Sequence, residues 1–307
     1  MIEYQRIILA DKLRNDALRS ALKKVIKPGR SVVADLGSGT GFLSFMARTL
    51  GAKQCHLYDP SELLELSRVI AAENGITGCT FHQTHSTLER RPPKADVVVS
   101  ETLGNFALEE GIIETMNDAQ RFLKSEGMLI PSSLIQWVAP VISPRLWKEI
   151  SSWDRVEASL DLSVAREISC NNIYVRSVRP AEMAAGAVRQ WDTIDFHKKN
   201  NPVRSATVCW DGSGKSVYGF ALWWECALVK GITLSTAPSA QRTHWEQIFM
   251  PVLRPICAAK GERLELRISV DSRQDVRINV AWDVRAVAAN GRVRERQCLD
   301  MQRGHLE

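Results

Sequence analysis

The stretch VVADLGSGTGF, residues 32–42, decides how the fold is read. A short apolar, largely β-branched run closes on an acid, Asp35. Three glycines, Gly37, Gly39 and Gly41, then alternate with small polar residues, and an apolar helical pattern begins at Phe42. Glycine lets a chain turn tightly and approach a ligand closely, and the helix N-terminus behind it favours polar or anionic groups. A P-loop would end in Gly-Lys-Ser/Thr, and a dinucleotide fingerprint needs glycine where Phe42 stands. What remains is acid-x-Gly-x-Gly-x-Gly. That version suits S-adenosylmethionine, whose methionine part carries an ammonium and a carboxylate instead of a pyrophosphate. Asp59 ends the next apolar run, 24 residues after Asp35, where an acid can accept both ribose hydroxyls.

Outward from the loop, the first ~130 residues alternate between strand and helix patterns. Residues 5–24 read as one helix, with Leu9, Leu13, Ala17 and Ala21 spaced by four. Strand patterns lie at 31–35, 54–59, near 79–84, at 95–101 and at 127–131. Helices are expected from Phe42 to Gly51, from Pro60 to Gly75 and from about 109 to 123. Such alternation predicts a parallel, doubly wound α/β sheet. After Pro131 the rhythm changes to β-rich runs such as LIQWVAPVIS, VYGFALWWECALV, RLELRISVD and VRINVAWDVRAV, which predict an antiparallel sheet or barrel. Residues 147–170 break that rhythm and read as helical. The expected division is 1–131 and 132–307.

The composition narrows the class. Of 307 residues, 45% are apolar and 24% charged, with a net charge of +5 and no run of five basic residues, so no nucleic-acid partner is expected. No stretch offers ~18 consecutive apolar residues, so no membrane span is expected. The seven cysteines form no Cys-x-x-Cys pair. No metal site is expected, and free thiols point to a reducing, cytoplasmic setting.

The acceptor is sought past the strand ADVVV, in SETLGNFALEEG, residues 100–111. An Asn/Asp-Pro-Pro-aromatic tetrad for adenine or a Pro-Cys for cytosine would stand there in nucleic-acid methylating enzymes, and neither does. Paired acids suit a guanidinium, which stays protonated and whose delocalised nitrogens are poor nucleophiles. Two carboxylates can hold it by bidentate hydrogen bonds and draw positive charge toward the nitrogens that do not react.

With these residues in view, the chain resembles the protein arginine methyltransferases over nearly its whole length. The family's double-E loop reads Ser-Glu-Trp-Met-Gly-Tyr, with a second glutamate nine residues after the first. That count assigns Glu101 and Glu110, and leaves Glu109 as a charge on the first turn of the following helix. RTHWEQ, residues 242–247, matches the family's Thr-His-Trp loop, and LADKLRND matches its N-terminal helix. The resemblance implies that Asp11 pairs with His244 and that Arg14 meets the cofactor carboxylate. It sets Ser86 where a glutamate usually reads the adenine, adds Thr115 to the cofactor residues, and makes SLDLSVAREI, residues 159–168, part of a dimerisation arm at about 147–170.

The pattern departs around the acceptor. Trp-Met-Gly-Tyr has become Thr102-Leu103-Gly104-Asn105, and of a tyrosine-rich leader only Tyr4 remains nearby. The resemblance therefore implies a Rossmann-like class I methyltransferase domain followed by an antiparallel β-barrel domain with a helical arm, in a homodimer. The expected activity is S-adenosylmethionine-dependent N-methylation of an arginine guanidinium. Glu101, Glu110, His244 and Asp11 are its catalytic residues, and Arg14, Asp35, Gly37, Gly39, Gly41, Asp59, Ser86 and Thr115 bind the cofactor. The acceptor is an arginine-containing peptide or protein, or alternatively free arginine or another small guanidine. A non-catalytic, dimeric cofactor-binding protein is the remaining reading.

Overall fold

The computed structural model describes residues 2–157, 160–276 and 278–304. Ser159 of the arm segment and Arg277 in the VRINVAWDVRAV run lie outside them. The chain opens with helices α1 (Ile2–Ala10) and α2 (Lys12–Val25). Strand β1 (Val32–Leu36) then leads through the glycine loop into α3 (Phe42–Thr49). Next come β2 (Gln54–Tyr58), α4 (Leu63–Glu73), β3 (Cys79–His82), β4 (Ala95–Val99), α5 (Ile112–Ala119) and β5 (Leu123–Ile130). These five strands form a parallel sheet in the order β3-β2-β1-β4-β5. Helices cover both faces, so central positions such as Val33, Leu57 and Val98 are sealed from water, which is why the strands read as unbroken apolar runs.

Register fixes the site. Asp35 on β1 lies level with Leu57 on β2 and Val99 on β4. The glycine loop, Asp59 and Glu101 therefore leave the sheet at one edge. The chain order reverses between β1 and β4, and at such a switch point the loops diverge and leave a crevice.

The remainder begins with β6 (Ser133–Val141), α6 (Arg145–Ile150), a 3₁₀ turn at Ser152–Arg155, and α7 (Ser163–Cys170). The strands that follow are β7 (Tyr174–Arg176), β8 (Arg189–Asp195), β9 (Val203–Asp211), β10 (Ser216–Val229), β11 (Ile232–Ser235), β12 (Gln247–Cys257), β13 (Arg263–Asp271), β14 (Asn279–Val287) and β15 (Val293–Asp300). Two antiparallel sheets result, β7-β12-β10-β6-β8 with β11 on β10, and β15-β14-β13-β9. Side chains alternate as expected: Leu264, Leu266, Ile268 and Val270 point inward from β13. The sheets are tied by Trp282, which donates from Nε1 to the Pro251 carbonyl at 2.9 Å, and by Trp210 stacked on Phe220.

Two helices differ from their sequence-based outlines. The helix expected over 5–24 is broken at Asp11, whose Oδ1 caps α2 by accepting from Arg14 N at 3.0 Å. The apolar spacing of four continues through the break, so periodicity alone hides it. α2 buries Leu18, Ala21 and Leu22, whereas α1 buries none of its residues. The helix expected from 109 starts at Ile112, after Gly111 at φ 69°. Glu109 and Glu110 therefore precede the helix and do not charge its first turn.

Candidate active site

Arg14 and Glu101, 87 residues apart, meet at the mouth of the crevice. Glu101 Oε2 accepts from Arg14 Nε at 2.7 Å and from Nη2, and each side chain is 6% exposed. Glu101 Oε1 accepts from Leu103 N at 3.3 Å. Arg14 Nη1 turns to Asn15 Oδ1. The guanidinium expected to meet the cofactor is thus seated on the acid expected to meet the acceptor.

Glu110 is exposed on one side and lies close to Glu101, Arg14 and Tyr4 of α1. Desolvation by the surrounding protein, followed by the charges of Glu101 and Glu109, pushes the Glu110 carboxyl up to about 7. Tyr4 responds in kind: desolvation and the neighbouring acids, Glu110 foremost, raise its phenol to about 12. Tyr4 and Glu110 are more than a hundred residues apart, and no local signal in either announces the other.

Glu109 serves the loop itself. Its carboxylate lies against Gly104, where an added Cβ would come within 2.1 Å of Oε2. Burial raises the Glu109 carboxyl, and the N–H groups of Phe106 and Asn105 partly offset that rise. Residues 103–105, where the family pattern is lost, are held from the second sheet region. Trp245 Nε1 donates to Leu103 O at 2.7 Å, Trp224 Nε1 to Gly104 O at 3.1 Å, and Glu246 N to Asn105 Oδ1 at 2.8 Å. Trp224 is fully buried and so serves as both core and clamp.

His244 and Asp11, the pair that the resemblance implies, lie together in the folded chain. Asp11 Oδ2 accepts from His244 N and from its Nδ1, each at 2.8 Å. Burial opposes charge on Asp11, but the N–H of Arg14 and the His244 bonds outweigh it and hold its carboxyl below the ordinary range. Burial lowers His244, so the ring is neutral at pH 7, against the raising effect of Asp11 and Glu101. With Nδ1 donating to an ionised Asp11, Nε2 keeps its lone pair, and this buried nitrogen has no partner among the described residues. Asp11→Ala would remove both a helix cap, worth about 1 kcal/mol, and a charged hydrogen bond worth about 2 kcal/mol. Urea unfolding should show a loss of about 3 kcal/mol, and Asp11→Asn, which still caps, should lose less.

At the glycine loop, Gly37 N and Ser38 N donate to Tyr58 O, and Gly39 N donates to Asp59 Oδ2 at 2.7 Å. Asp59 Oδ1 accepts from Ser61 N, so this acid braces the loop and still offers free lone pairs. The close approach is real: a Cβ on Gly37, at φ 76°, would lie 2.7 Å from the Thr102 methyl. The three atoms nearest to where a Cβ on Gly39 would stand all belong to Gln5 of α1, the closest at 3.4 Å. Asp35 Oδ2 accepts from Ser44 N and Oγ. Complete burial raises the Asp35 carboxyl to about 7 despite those bonds. Oδ1 of Asp35, Ser38 Oγ, Tyr58 OH and Ser86 Oγ are buried and lack partners among the described residues. Unsatisfied buried polar atoms are costly. The Tyr58 ring is stacked on His82, whereas Asp35 and Ser38 stand at the end of β1, Ser86 after β3 and Thr115 in the first turn of α5, after β4. They fit a polar cofactor with an ammonium at one end and an adenine at the other. Among the described residues no three His, Cys, Asp or Glu side chains gather as a metal site.

The chain is similar to known methyltransferases over most of its length. The arginine methyltransferase oligomerization subdomain matches residues 135–286, and the ribosomal protein L11 methyltransferase family matches residues 18–158. Protein arginine N-methyltransferase 6 of Xenopus tropicalis is 26% identical over 79% of this chain and 76% of its own length. Arginine N(omega)-methyltransferase of Streptomyces achromogenes subsp. streptozoticus is 27% identical over 85% of this chain and 74% of its own. Among solved structures, the Trypanosoma brucei PRMT1 enzyme-prozyme heterotetrameric complex with AdoHcy superposes with a TM-score of 0.82 at 21% identity, covering 97% of this chain and 98% of that one. The loop, the acid pair, the Thr-His-Trp segment and the oligomerization subdomain occur in one order along one fold, and the chain belongs to the protein arginine N-methyltransferase family.

Proposed function

We propose that the chain is an S-adenosylmethionine-dependent N-methyltransferase of arginine guanidinium groups. One observation carries this reading. The crevice already holds a guanidinium, that of Arg14, buried against Glu101 through Nε and Nη2. An acceptor guanidinium needs the same two-point seat.

Asp35 and the loop of Gly37, Gly39 and Gly41 would hold the methionine part of the cofactor, Asp59 the ribose, and Ser86 with Thr115 the adenine end. Arg14 Nη1 carries two hydrogens, of which Asn15 takes one, so it retains a donor for the cofactor carboxylate. Bound there, S-adenosylmethionine supplies an electrophilic methyl on its sulfonium. Glu101 and Glu110 hold the acceptor and draw its positive charge toward the nitrogens that do not react, leaving electron density on the third. His244 Nε2, with Asp11 fixing the ring, accepts the proton that nitrogen releases. α1, with no buried residue and with Gln5 over the glycine loop, closes as a lid.

The first domain comprises residues 1–131 and the second, a barrel, residues 132–307. The protein is a cytoplasmic homodimer in this reading. Its seven cysteines are unpaired, and no described helix is long and apolar enough to cross a membrane. The arm presents apolar side chains to solvent: Val156 is 51% exposed, Leu160 72% and Val164 69%. Three exposed aliphatic side chains within nine residues suit a surface covered by a second copy. Leu160→Asp with Val164→Asp should yield a monomer by light scattering, as should deletion of 150–170, and a surviving dimer would refute the arm.

Label transfer tests the activity. With labelled cofactor, the enzyme should methylate free arginine or arginine peptides. Tight cofactor binding without transfer to any guanidine would favour the non-catalytic reading.

A further inference from the structure

A second cavity lies beside the acceptor site and carries charge that the reaction above does not use. It has a volume of about 380 Å³ and is walled by residues 177–180, after β7, and by the loop 236–247 before β12. His244 and Glu246 line it. His244 also holds Asp11, and Glu246 N also holds Asn105 of the acid loop. The cavity therefore shares the Thr-His-Trp segment with the acid loop and Asp11.

Four arginines gather around Ser177. Arg145 binds Glu182 at 2.5 and 2.7 Å, and Arg176 binds Glu149 at 2.7 and 3.0 Å. Arg179 and Arg242, the two that line the cavity, have no carboxylate within ion-pair distance among the described residues. Arg242 reaches only the neutral Ser177 Oγ, at 2.5 Å. The Glu246 carboxylate likewise lacks a described partner. Two guanidinium groups and one carboxylate without an ion-pair partner among the described residues thus line one cavity, beside a site built for a cation. Guanidinium pairs select carboxylates by bidentate hydrogen bonds, and a neighbouring acid selects an ammonium.

We propose that this cavity is an acceptor subsite in which Arg179 and Arg242 bind a carboxylate carried close to the reacting guanidinium. This rests on the guanidinium methylation argued above. Two sources share that chemistry. One is the α-carboxylate of free arginine, whose ammonium Glu246 would take. The other is an acidic residue flanking arginine in a peptide.

The test compares kcat/KM for L-arginine, for agmatine (the same guanidine without the carboxylate), and for end-blocked arginine tripeptides with glycine or glutamate neighbours. A charged hydrogen-bonded contact is worth about 1.5–3 kcal/mol, or roughly 10- to 100-fold. We expect the carboxylate-bearing member of one pair to be preferred by that factor. We expect the preference to collapse toward unity in Arg242→Gln and in Arg179→Gln/Arg242→Gln, with partial rescue in Arg242→Lys. Each ratio is internal to one preparation, so partial misfolding does not change it. Preference for arginine over agmatine assigns the α-carboxylate, and preference for the glutamate peptide assigns a flanking acid. Equal rates within both pairs, or preferences that survive Arg242→Gln, would overturn the subsite while leaving guanidine methylation standing. No transfer to any guanidine would overturn both.

Discussion

Glu101→Gln is expected to lower turnover about a thousandfold and to cost roughly 3 kcal/mol of stability. The kinetic loss follows from removing the charge that both seats the acceptor guanidinium and polarises it, since one preorganised electrostatic contact in a closed site is worth about 10²–10³ in rate. The stability loss comes from Arg14. Its guanidinium is buried with Glu101, each side chain 6% exposed, and breaking a buried pair from one side leaves a charge that water cannot reach. Arg14→Gln should destabilise for the same reason, with the stranded charge now on the acid. The double variant should lose less than the sum of the two, because neither charge is then left alone. Thermal unfolding of the three variants checks this, and additive losses would mean that the pair contributes nothing as a pair.

Glu110→Gln should also inactivate, by about a hundredfold, with the opposite effect on stability. The Glu110 carboxyl rises from 4.5 to about 7 in the folded protein. A group raised on folding contributes stability that is fully present below its unfolded value and is lost as pH rises through the folded one. At pH 8 the parent therefore carries an ionised Glu110 beside Glu101 and Glu109 that the amide variant lacks. Glu110 is open to solvent on one side, which screens the repulsion, so the variant should gain only about 1 kcal/mol at pH 8 and nothing below pH 4.5. Turnover of the parent should climb through pH 7 as the carboxylate forms. Asp35, raised to about 7 by burial, ionises in the same window, so the residual activity of Glu110→Gln should retain a shallower rise. Unchanged turnover in Glu110→Gln would reassign the second acid to Glu109.

The Rossmann-like half was legible because its signals are local. Buried parallel strands must be apolar throughout, and the turns after β1 and before α5 need glycine at positive φ. Counting nine from Glu101 selects Glu110 over its neighbour, and in the folded chain Glu109 is turned onto Gly104 and the loop amides. The break at Asp11 left a readable trace, an acid at a helix N-cap position, which the continuing apolar spacing concealed. Other features exist only in three dimensions. Arg14 on Glu101, Tyr4 on Glu110 and the two tryptophans clamping Leu103 and Gly104 join residues from 87 to 142 positions apart, and nothing local in either partner announces the other. The segment Thr102–Asn105 is where the sequence departs from the family pattern. In the folded chain its carbonyls and the Asn105 side chain are tied to the Thr-His-Trp region, so its first role is to hold the acid loop in place.

The most direct test of the central claim is to find where the methyl group goes. The enzyme, S-adenosylmethionine and a guanidine acceptor are incubated, and the product is fragmented in a mass spectrometer, with Glu101→Gln run alongside. The account predicts a single added methyl or more on guanidino nitrogen, produced by the parent and nearly absent from the variant. Methylation at a carbon, an oxygen or an α-amine, or guanidino methylation that proceeds equally in Glu101→Gln, would contradict it.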